Sequence, residues 1–160
     1  MVITLEGHHV DISHKTLGMI NNAAKDLPNV VPSSDCTTIS SIMTRNVVTI
    51  DHTKTAYDAA NIMIEKRIGC VIVTAYGKPF GIVTERDLAR IVATLAVPSK
   101  CLILSYLASR PLIYANPTIS IQEAANILGR YNIDHLPILE SDKIVGIVTT
   151  RDLAMYLLYA

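Results

Sequence analysis

Three residue types that could together bind an anion and a sugar recur as a short motif at two places in the chain. Thr-x-Arg-Asp follows a β-branched run and precedes a helical pattern each time. Its positions are Thr84, Arg86, Asp87, Thr149, Arg151 and Asp152. An arginine beside the free N–H groups of a helix start forms a site for an anion such as phosphate. An aspartate nearby can accept hydrogen bonds from the two hydroxyls of a ribose.

The same motif also has a purely structural interpretation. Threonine followed three residues later by an acidic residue is typical of a capping box, in which the two side chains satisfy backbone N–H groups at the helix start. Capping explains the threonine and the aspartate. It does not explain the arginine, because the helix dipole disfavours a positive charge in the first turn. Both interpretations stay open at this point.

The motif lies within a longer internal repeat. The sequence GIVTERDLA at 81–89 returns as GIVTTRDLA at 146–154, which is 65 positions later. The same offset, without a gap, aligns DAANIM at 58–63 with EAANIL at 123–128. We interpret this as two copies of one supersecondary unit, each burying its open face against the other.

Each copy predicts the order β-α-β-β-α, which places the chain in the α+β class. A helix opens with a capping box, Thr55 with Asp58 in the first copy and Ser120 with Glu123 in the second. The flanking strands and the last helix follow from apolar runs and turn residues. The predicted strands are 46–50, 70–74 and 79–84, then 111–115, 135–139 and 144–149, and the last helices begin near Glu85 and Thr150.

Residues 1–37 have no counterpart in the repeat. Residues 13–26 are weakly helical, and Pro28 and Pro32 indicate a linker. The arm carries His8, His9 and His14, with no cysteine or acidic cluster at ligand spacing. We interpret it as a solvated arm and predict no metal site.

Composition disfavours several functional classes. Fourteen Lys and Arg residues balance fourteen Asp and Glu residues, so the chain lacks the basic excess that general nucleic-acid binding needs. One Phe and no Trp supply few stacking platforms for single strands. No signal peptide is visible, and Pro98 and Lys100 break the longest apolar stretch, so no membrane partner is expected. We expect a soluble, cytoplasmic protein.

The sequence also lacks common catalytic signatures. There is no GxGxxG, no GxxxxGK[ST] loop, no GxSxG and no HExxH. Three scattered cysteines do not form a disulfide framework and suggest a reducing compartment. Cys70 and Cys101 lie in apolar runs, which favours small buried residues over nucleophiles. We therefore predict that the chain is not an enzyme.

The repeat, its GIVTxRDL ends and the IDHLPIL segment at 133–139 resemble a tandem pair of CBS domains, or Bateman module, over roughly residues 40–158. The resemblance implies an N-terminal arm and linker (1–37), a first repeat (38–97) and a second repeat (98–160). It also implies pseudo-two-fold packing, with two clefts between the β-sheets. Members of this family commonly bind AMP, ADP, ATP or S-adenosylmethionine, and they regulate rather than catalyse.

The resemblance assigns ligand contacts to particular residues. Within the Thr-x-Arg-Asp motifs it gives ribose hydroxyls to the aspartates, ribose or phosphate to the threonines, and phosphate to the arginines. Four isoleucines occupy positions that flank adenine, namely Ile68, Ile82, Ile133 and Ile147. Phosphate-binding relatives often carry basic residues at the positions of Asp134 and His135, whereas the first copy has Gly69 and Cys70 there. We therefore expect unequal clefts, with His135 either a phosphate ligand or a polar strand end.

Together these patterns predict a stand-alone regulatory module that senses adenine nucleotides, AMP first among them, and signals to an effector protein. No catalytic cofactor is expected. The apolar helix ends at 88–97 and 153–159 predict a homodimer, although they could instead belong to the core. Two alternatives stay open: a non-catalytic interaction module with vacant clefts, and a nucleic-acid-associated regulator.

Overall fold

The computed structural model describes residues 37–94 and 97–159. Its strands are β1 (Thr49–Asp51), β2 (Cys70–Ala75), β3 (Lys78–Thr84), β4 (His135–Glu140) and β5 (Lys143–Thr149). Its helices are α1 (Ala56–Lys66), α2 (Glu85–Thr94), α3 (Leu104–Leu107), α4 (Ile121–Tyr131) and α5 (Thr150–Tyr159), with short 3₁₀ turns at Ile39–Ser41 and Ser99–Cys101. This confirms the α+β class. The interpretation of residues 1–36 as an arm, with its three histidines and Cys36, lies outside the described residues.

Two small sheets form the framework. In the first, β2 pairs with β1 in parallel and with β3 antiparallel; in the second, β4 pairs antiparallel with β5. The predicted strand at 111–115 is reduced to one parallel bridge, between Ala115 and Ile138. The reason is two prolines. Ile72 N donates to Val48 O and His52 N donates to Thr74 O in the first copy, but the corresponding donors of the second copy are Pro137 and Pro117, which have no N–H to donate.

The ends of α1 and α4 follow the sequence closely. Both predicted capping boxes form, on Thr55 with Asp58 and on Ser120 with Glu123. Both helices end at a residue in the left-handed conformation, Arg67 and Asn132. The predicted apolar face is confirmed, because Ala59 and Met63 of α1 are buried and so are the matching residues of α4. These helices cover one face of each sheet.

The first residues of each repeat pack into the other repeat and form an exchanged segment. Ile39 and Met43 belong to the hydrophobic core of the second copy, and Leu104 and Ala108 belong to that of the first. Each exchanged segment bonds to the strand that carries the GIVT sequence, through bridges between Thr44 and Ile147 and between Ser109 and Ile82. The repeats are thus contiguous in sequence but interlocked in packing.

The close approach of the exchanged segments explains why both GIVT sequences begin with glycine. A Cβ on Gly81 would lie 2.8 Å from the backbone O of Ser109, and one on Gly146 would lie 2.5 Å from Met43 Sδ. The exchanged segments therefore approach the strands more closely than a side chain would allow.

Candidate functional site

Both Thr-x-Arg-Asp motifs form helix caps. Asp87 Oδ2 accepts from Thr84 N at 2.9 Å and from Thr84 Oγ1 at 2.7 Å, and Asp87 N donates to Thr84 Oγ1 at 3.2 Å. Thr149 and Asp152 repeat this arrangement at 2.8, 2.7 and 3.2 Å. The capping interpretation is therefore correct for the threonines and aspartates.

Capping leaves part of each carboxylate free. The bonds that each carboxylate accepts use Oδ2, and Oδ1 of Asp87 and of Asp152 has no hydrogen-bond partner among the described side chains. Both aspartates are half-buried and line a cleft. Because the cap fixes the carboxylate, its second oxygen is held ready to accept from a hydroxyl.

The larger cleft has a volume of about 450 Å³ and contains the motif of the first copy. Thr84, Arg86 and Asp87 form one side, at the start of α2. Residues 132–135, which are the segment before β4 and the first residue of β4, form the other side. The remaining lining residues are Gly69, Ile82, Glu85, Arg90, Ser109, Pro111 and Ile113. The volume is within the range of small-molecule pockets.

The smaller cleft has a volume of about 210 Å³ and contains Thr149 and Asp152 of the second copy. Its lining is completed by Thr44, Asn46, Val47, Val48, Ile68, Gly69, Cys70, Ile72, His135 and Ile147. Most lining positions correspond to those of the larger cleft at the 65-residue offset. The structure thus brings together the predicted site residues with one exception, because Arg151 is exposed and does not line the smaller cleft.

The predicted isoleucine pairs come from opposite copies. Ile82 faces the larger cleft together with Ile133, and Ile147 faces the smaller cleft together with Ile68. All four are half-buried. Each cleft therefore has two apolar side chains of the kind that can flank a flat aromatic ring.

The two clefts differ in the charge of their lining residues. Arg86 and Arg90 line the larger one, whereas the described residues that line the smaller one include no lysine or arginine. Arg86 Nη2 donates to Asp134 Oδ2 across the two copies at 2.9 Å, and both side chains are largely exposed, at 63% and 49%. Exposed pairs of this kind are weak, about 0.2–1 kcal/mol. A phosphate could therefore replace the Asp134 carboxylate on this arginine at small cost.

His135 lines both clefts, as does Gly69. His135 pairs with Thr149 in the β4–β5 ladder, and its Nε2 lies 3.2 Å from where a Cβ on Gly69 would be. Burial lowers the pKa of His135, against the opposing effect of the Asp134, Glu85 and Asp152 carboxylates. The imidazole therefore favours its neutral form while the clefts hold no anion.

The two described cysteines differ from each other. Cys70 is buried in the wall of the smaller cleft, and burial raises the pKa of its thiol to about 12, which disfavours the thiolate form. The expectation that Cys101 is buried was wrong, because it is exposed at the end of a 3₁₀ turn between the repeats. The apolar run before it contains Pro98, so this segment makes a surface turn rather than a core element.

Sequence reasoning missed several lining residues. Arg90 lies one helical turn after Arg86, and that spacing could have revealed it. Ser109, Pro111 and Ile113 enter the larger cleft because the exchanged segment runs along β3. No sequence signal indicated that exchange. Within residues 37–94 and 97–159, no group of three His, Cys, Asp or Glu residues could hold a metal ion.

The described helices include none that is long and apolar enough to cross a bilayer. The helix ends that the sequence singled out are divided between core and surface, because Leu153 is buried in the core of the second copy and Leu88 packs against the core of the first. Val92 of α2 is 80% exposed, and Leu157 and Leu158 of α5 are 67% and 74% exposed. The helical part of the first such segment ends at Thr94.

Comparison with known proteins identifies the repeat. The sequence model of the CBS domain matches residues 39–94 and again 104–159. A CBS-domain protein from Burkholderia ambifaria has a similar structure, with a TM-score of 0.72 and 30% identity, covering 76% of this chain and 94% of that one. The CBS domain-containing protein YhcV of Bacillus subtilis is 29% identical over 117 residues, which are 73% of this chain and 83% of YhcV.

One similar structure contains adenosine compounds. The CBS domain pair of the protein MJ0100, in complex with 5′-methylthioadenosine and S-adenosyl-L-methionine, has a TM-score of 0.68 and 25% identity. The similarity covers 76% of this chain and 95% of that one. Further curated relatives are longer proteins, of which this chain spans between 21% and 60%.

Proposed function

Because the chain belongs to the CBS-domain family and carries a tandem pair, which is a regulatory module, we propose that it senses adenosine-containing ligands in its two clefts. The observation that carries this proposal is the arrangement of Asp87 and Asp152. Each carboxylate is fixed by a helix cap, lines a cleft and has one oxygen that bonds to none of the described residues. The complex of the related MJ0100 pair with two adenosine compounds supports the same ligand class.

In this proposal the aspartates accept hydrogen bonds from the ribose hydroxyls. The isoleucine pairs, Ile82 with Ile133 and Ile68 with Ile147, hold the adenine ring. Thr84 and Thr149 contribute a hydroxyl beside the ribose or phosphate, although their Oγ1 atoms already bond to the caps.

We further propose that the larger cleft takes a phosphorylated ligand, with AMP as the simplest candidate. Arg86 and Arg90 supply positive charge there, and His135 can donate to a phosphate once it is protonated. In the part of the chain that the structure describes, no Arg or Lys lines the smaller cleft, which therefore suits an unphosphorylated adenosine compound. Arg151 remains a predicted phosphate ligand only if it moves toward the cleft when ligand binds.

The output of such a module requires another surface. We propose self-association through the exposed apolar residues of α2 and α5, followed by contact with an effector protein. Val92, Leu157 and Leu158 would be covered by this association. Light scattering at high concentration should show twice the 17.5 kDa mass of the chain, and a monomer would contradict this part of the proposal.

Calorimetry with AMP, ADP, ATP, adenosine and S-adenosylmethionine tests the ligand class. Wild-type protein should bind at least one of them. Each aspartate supplies charge-assisted bonds worth about 1.5–3 kcal/mol, so Asp87→Ala and Asp152→Ala should each weaken one site at least about tenfold. The double variant should bind none of the five compounds.

Asp58→Ala is the matched control. Asp58 caps α1 through the same contacts with Thr55, and it lines neither cleft. This variant should lose about 1 kcal/mol of stability, as the cleft variants do, but should keep wild-type affinity. No heat with any of the five compounds, or equal losses in the control, would support the vacant interaction module instead.

A further inference from the structure

The two clefts share one wall. Gly69 and His135 line both of them, and each belongs to a different copy of the repeat. Cys70, the counterpart of His135, lines only the smaller cleft. The sharing is therefore not imposed by the symmetry of the fold, and it occurs where the imidazole of His135 meets Gly69, which has no side chain.

The missing side chain at Gly69 makes room for the imidazole. A Cβ there would lie 3.2 Å from His135 Nε2, 3.6 Å from its Cε1 and 3.8 Å from Glu85 Oε2. On its own sheet His135 pairs with Thr149, which contributes to the smaller cleft. The ring thus extends from the wall of one cleft into that of the other.

Charged groups from both sides act on this ring. Asp134, Glu85 and Arg86 belong to the larger cleft, and Asp152 belongs to the smaller one. A ligand that binds near the charged groups of either cleft therefore changes the electrostatic environment of the same imidazole.

We propose that His135 couples the two clefts, so that a ligand in the smaller cleft weakens the binding of a phosphorylated ligand in the larger one. This inference rests on the proposed function of the clefts. The coupling is antagonistic because the two ligands favour different states of the ring. A phosphate favours the protonated imidazole, whereas a neutral ligand in the smaller cleft removes water from the ring and favours its neutral form.

The coupling is reciprocal, since binding free energies are linked. AMP in the larger cleft therefore weakens adenosine in the smaller cleft by the same factor. Couplings between sites commonly reach fivefold or more, which is large enough to measure by calorimetry.

The experiment measures AMP affinity in wild-type protein and in Asp152→Ala, first without adenosine and then with adenosine at a concentration that fills the smaller cleft of the wild type but not the weakened cleft of the variant. The measurement without adenosine is the baseline of each protein, because Asp152→Ala also removes a carboxylate that acts on the ring. Adenosine competes for the larger cleft in both proteins but occupies the smaller cleft only in the wild type, so it should weaken AMP binding at least about fivefold more in the wild type than in Asp152→Ala. In a His135→Gln background, this difference between the two proteins should disappear.

Equal weakening of AMP binding by adenosine in wild-type protein and in Asp152→Ala would overturn the coupling. An excess weakening by Asp152-dependent adenosine binding that persists in the His135→Gln background would overturn it too. Titration with AMP alone separates this failure from failure of the proposed function. Binding of AMP without excess weakening removes only the coupling. No binding of AMP, adenosine or S-adenosylmethionine to wild-type protein removes the proposed function and the coupling with it.

A second readout needs no histidine variant. The imidazole resonances of His135 should shift when adenosine is added to Asp87→Ala, in which only the smaller cleft can bind. They should also shift when AMP is added to Asp152→Ala, in which only the larger cleft can bind. A ring that responds to ligand in one variant alone would overturn the proposal.

Discussion

The two clefts share a backbone plan but differ in the chemistry of their walls. Each combines a capped Thr-x-Arg-Asp helix start from one copy with the first residues of a strand from the other. The larger cleft receives Asp134 and His135 from the second copy, whereas the smaller one receives Gly69 and Cys70 from the first. Duplication preserved the scaffold of the clefts, and their difference in charge comes mainly from Arg86, Arg90, Glu85 and Asp134, which line the larger cleft and not the smaller one.

The arginines test this comparison with the largest expected effect. Arg86→Gln should weaken AMP binding about tenfold to one-hundredfold, because a charge-assisted bond to phosphate is worth about 1.5–3 kcal/mol. Arg151→Gln should change it by less than twofold, since Arg151 lines neither cleft. Calorimetry with AMP measures both variants, and adenosine serves as the control ligand. Equal losses in the two variants would mean that Arg151 moves to the ligand.

The paired glycines test the packing that builds the clefts. Gly81→Ala should lower the free energy of unfolding by about 1–3 kcal/mol, because its Cβ would meet the backbone of Ser109. Gly146→Ala should cost less, since its Cβ would meet side-chain atoms of Met43, Sδ at 2.5 Å and Cγ at 2.8 Å, and these can rotate away whereas a backbone carbonyl cannot. Chemical denaturation compares the two variants. A larger loss in Gly146→Ala would show that the second copy is packed more rigidly than the first.

Removal of the Asp134 side chain should increase the affinity for AMP. Asp134 holds Arg86 in an exposed ion pair worth about 0.2–1 kcal/mol and adds negative charge to the larger cleft. Asp134→Ala should therefore tighten AMP binding by up to about fivefold while leaving adenosine unchanged. Weaker AMP binding in this variant would show that the ion pair positions Arg86 for the phosphate.

The smallest expected effect is a pH dependence of stability. Burial lowers the pKa of His135 in the folded protein, so the unfolded chain takes up the proton more readily. Relative to His135→Gln, the wild-type protein should lose stability as pH falls below about 6.5 and reach a constant difference below the folded pKa. Denaturation curves of both proteins across this range measure the difference. A wild-type protein that gains relative stability on acidification would contradict the burial of the ring.

Much of the fold could be predicted because local signals and the repeat agreed. The capping boxes, the apolar faces of α1 and α4 and the starts of α2 and α5 all follow from nearby residues. The one-bridge remnant at Ala115 could have been anticipated from Pro117 and Pro137, which cannot continue the ladder.

The exchange of segments between the copies could not be predicted. It depends on contacts between residues far apart in sequence, such as Met43 with Gly146, and neither residue shows a local pattern that demands the other. The same limit applies to the clefts. Ile82 and Ile133 could be named from the motifs, but Ser109 and Pro111 enter the larger cleft only because the exchanged segment lies along β3.

The position of His135 in the walls of both clefts also could not be predicted from the sequence. The offset aligned His135 with Cys70 and indicated unequal clefts, but it placed the histidine in one cleft only. Its contact with both clefts arises from the space left at Gly69. That space becomes visible only when the two copies are packed together.

One measurement tests the central claim that the two clefts divide ligands by charge. It is the ratio of AMP affinity to adenosine affinity, determined by calorimetry in two variants that each keep a single working cleft. Asp152→Ala retains the larger cleft and should favour AMP at least about tenfold, because only that cleft supplies arginines to a phosphate. Asp87→Ala retains the smaller cleft and should show a ratio near one. The same ratio in both variants would contradict the account.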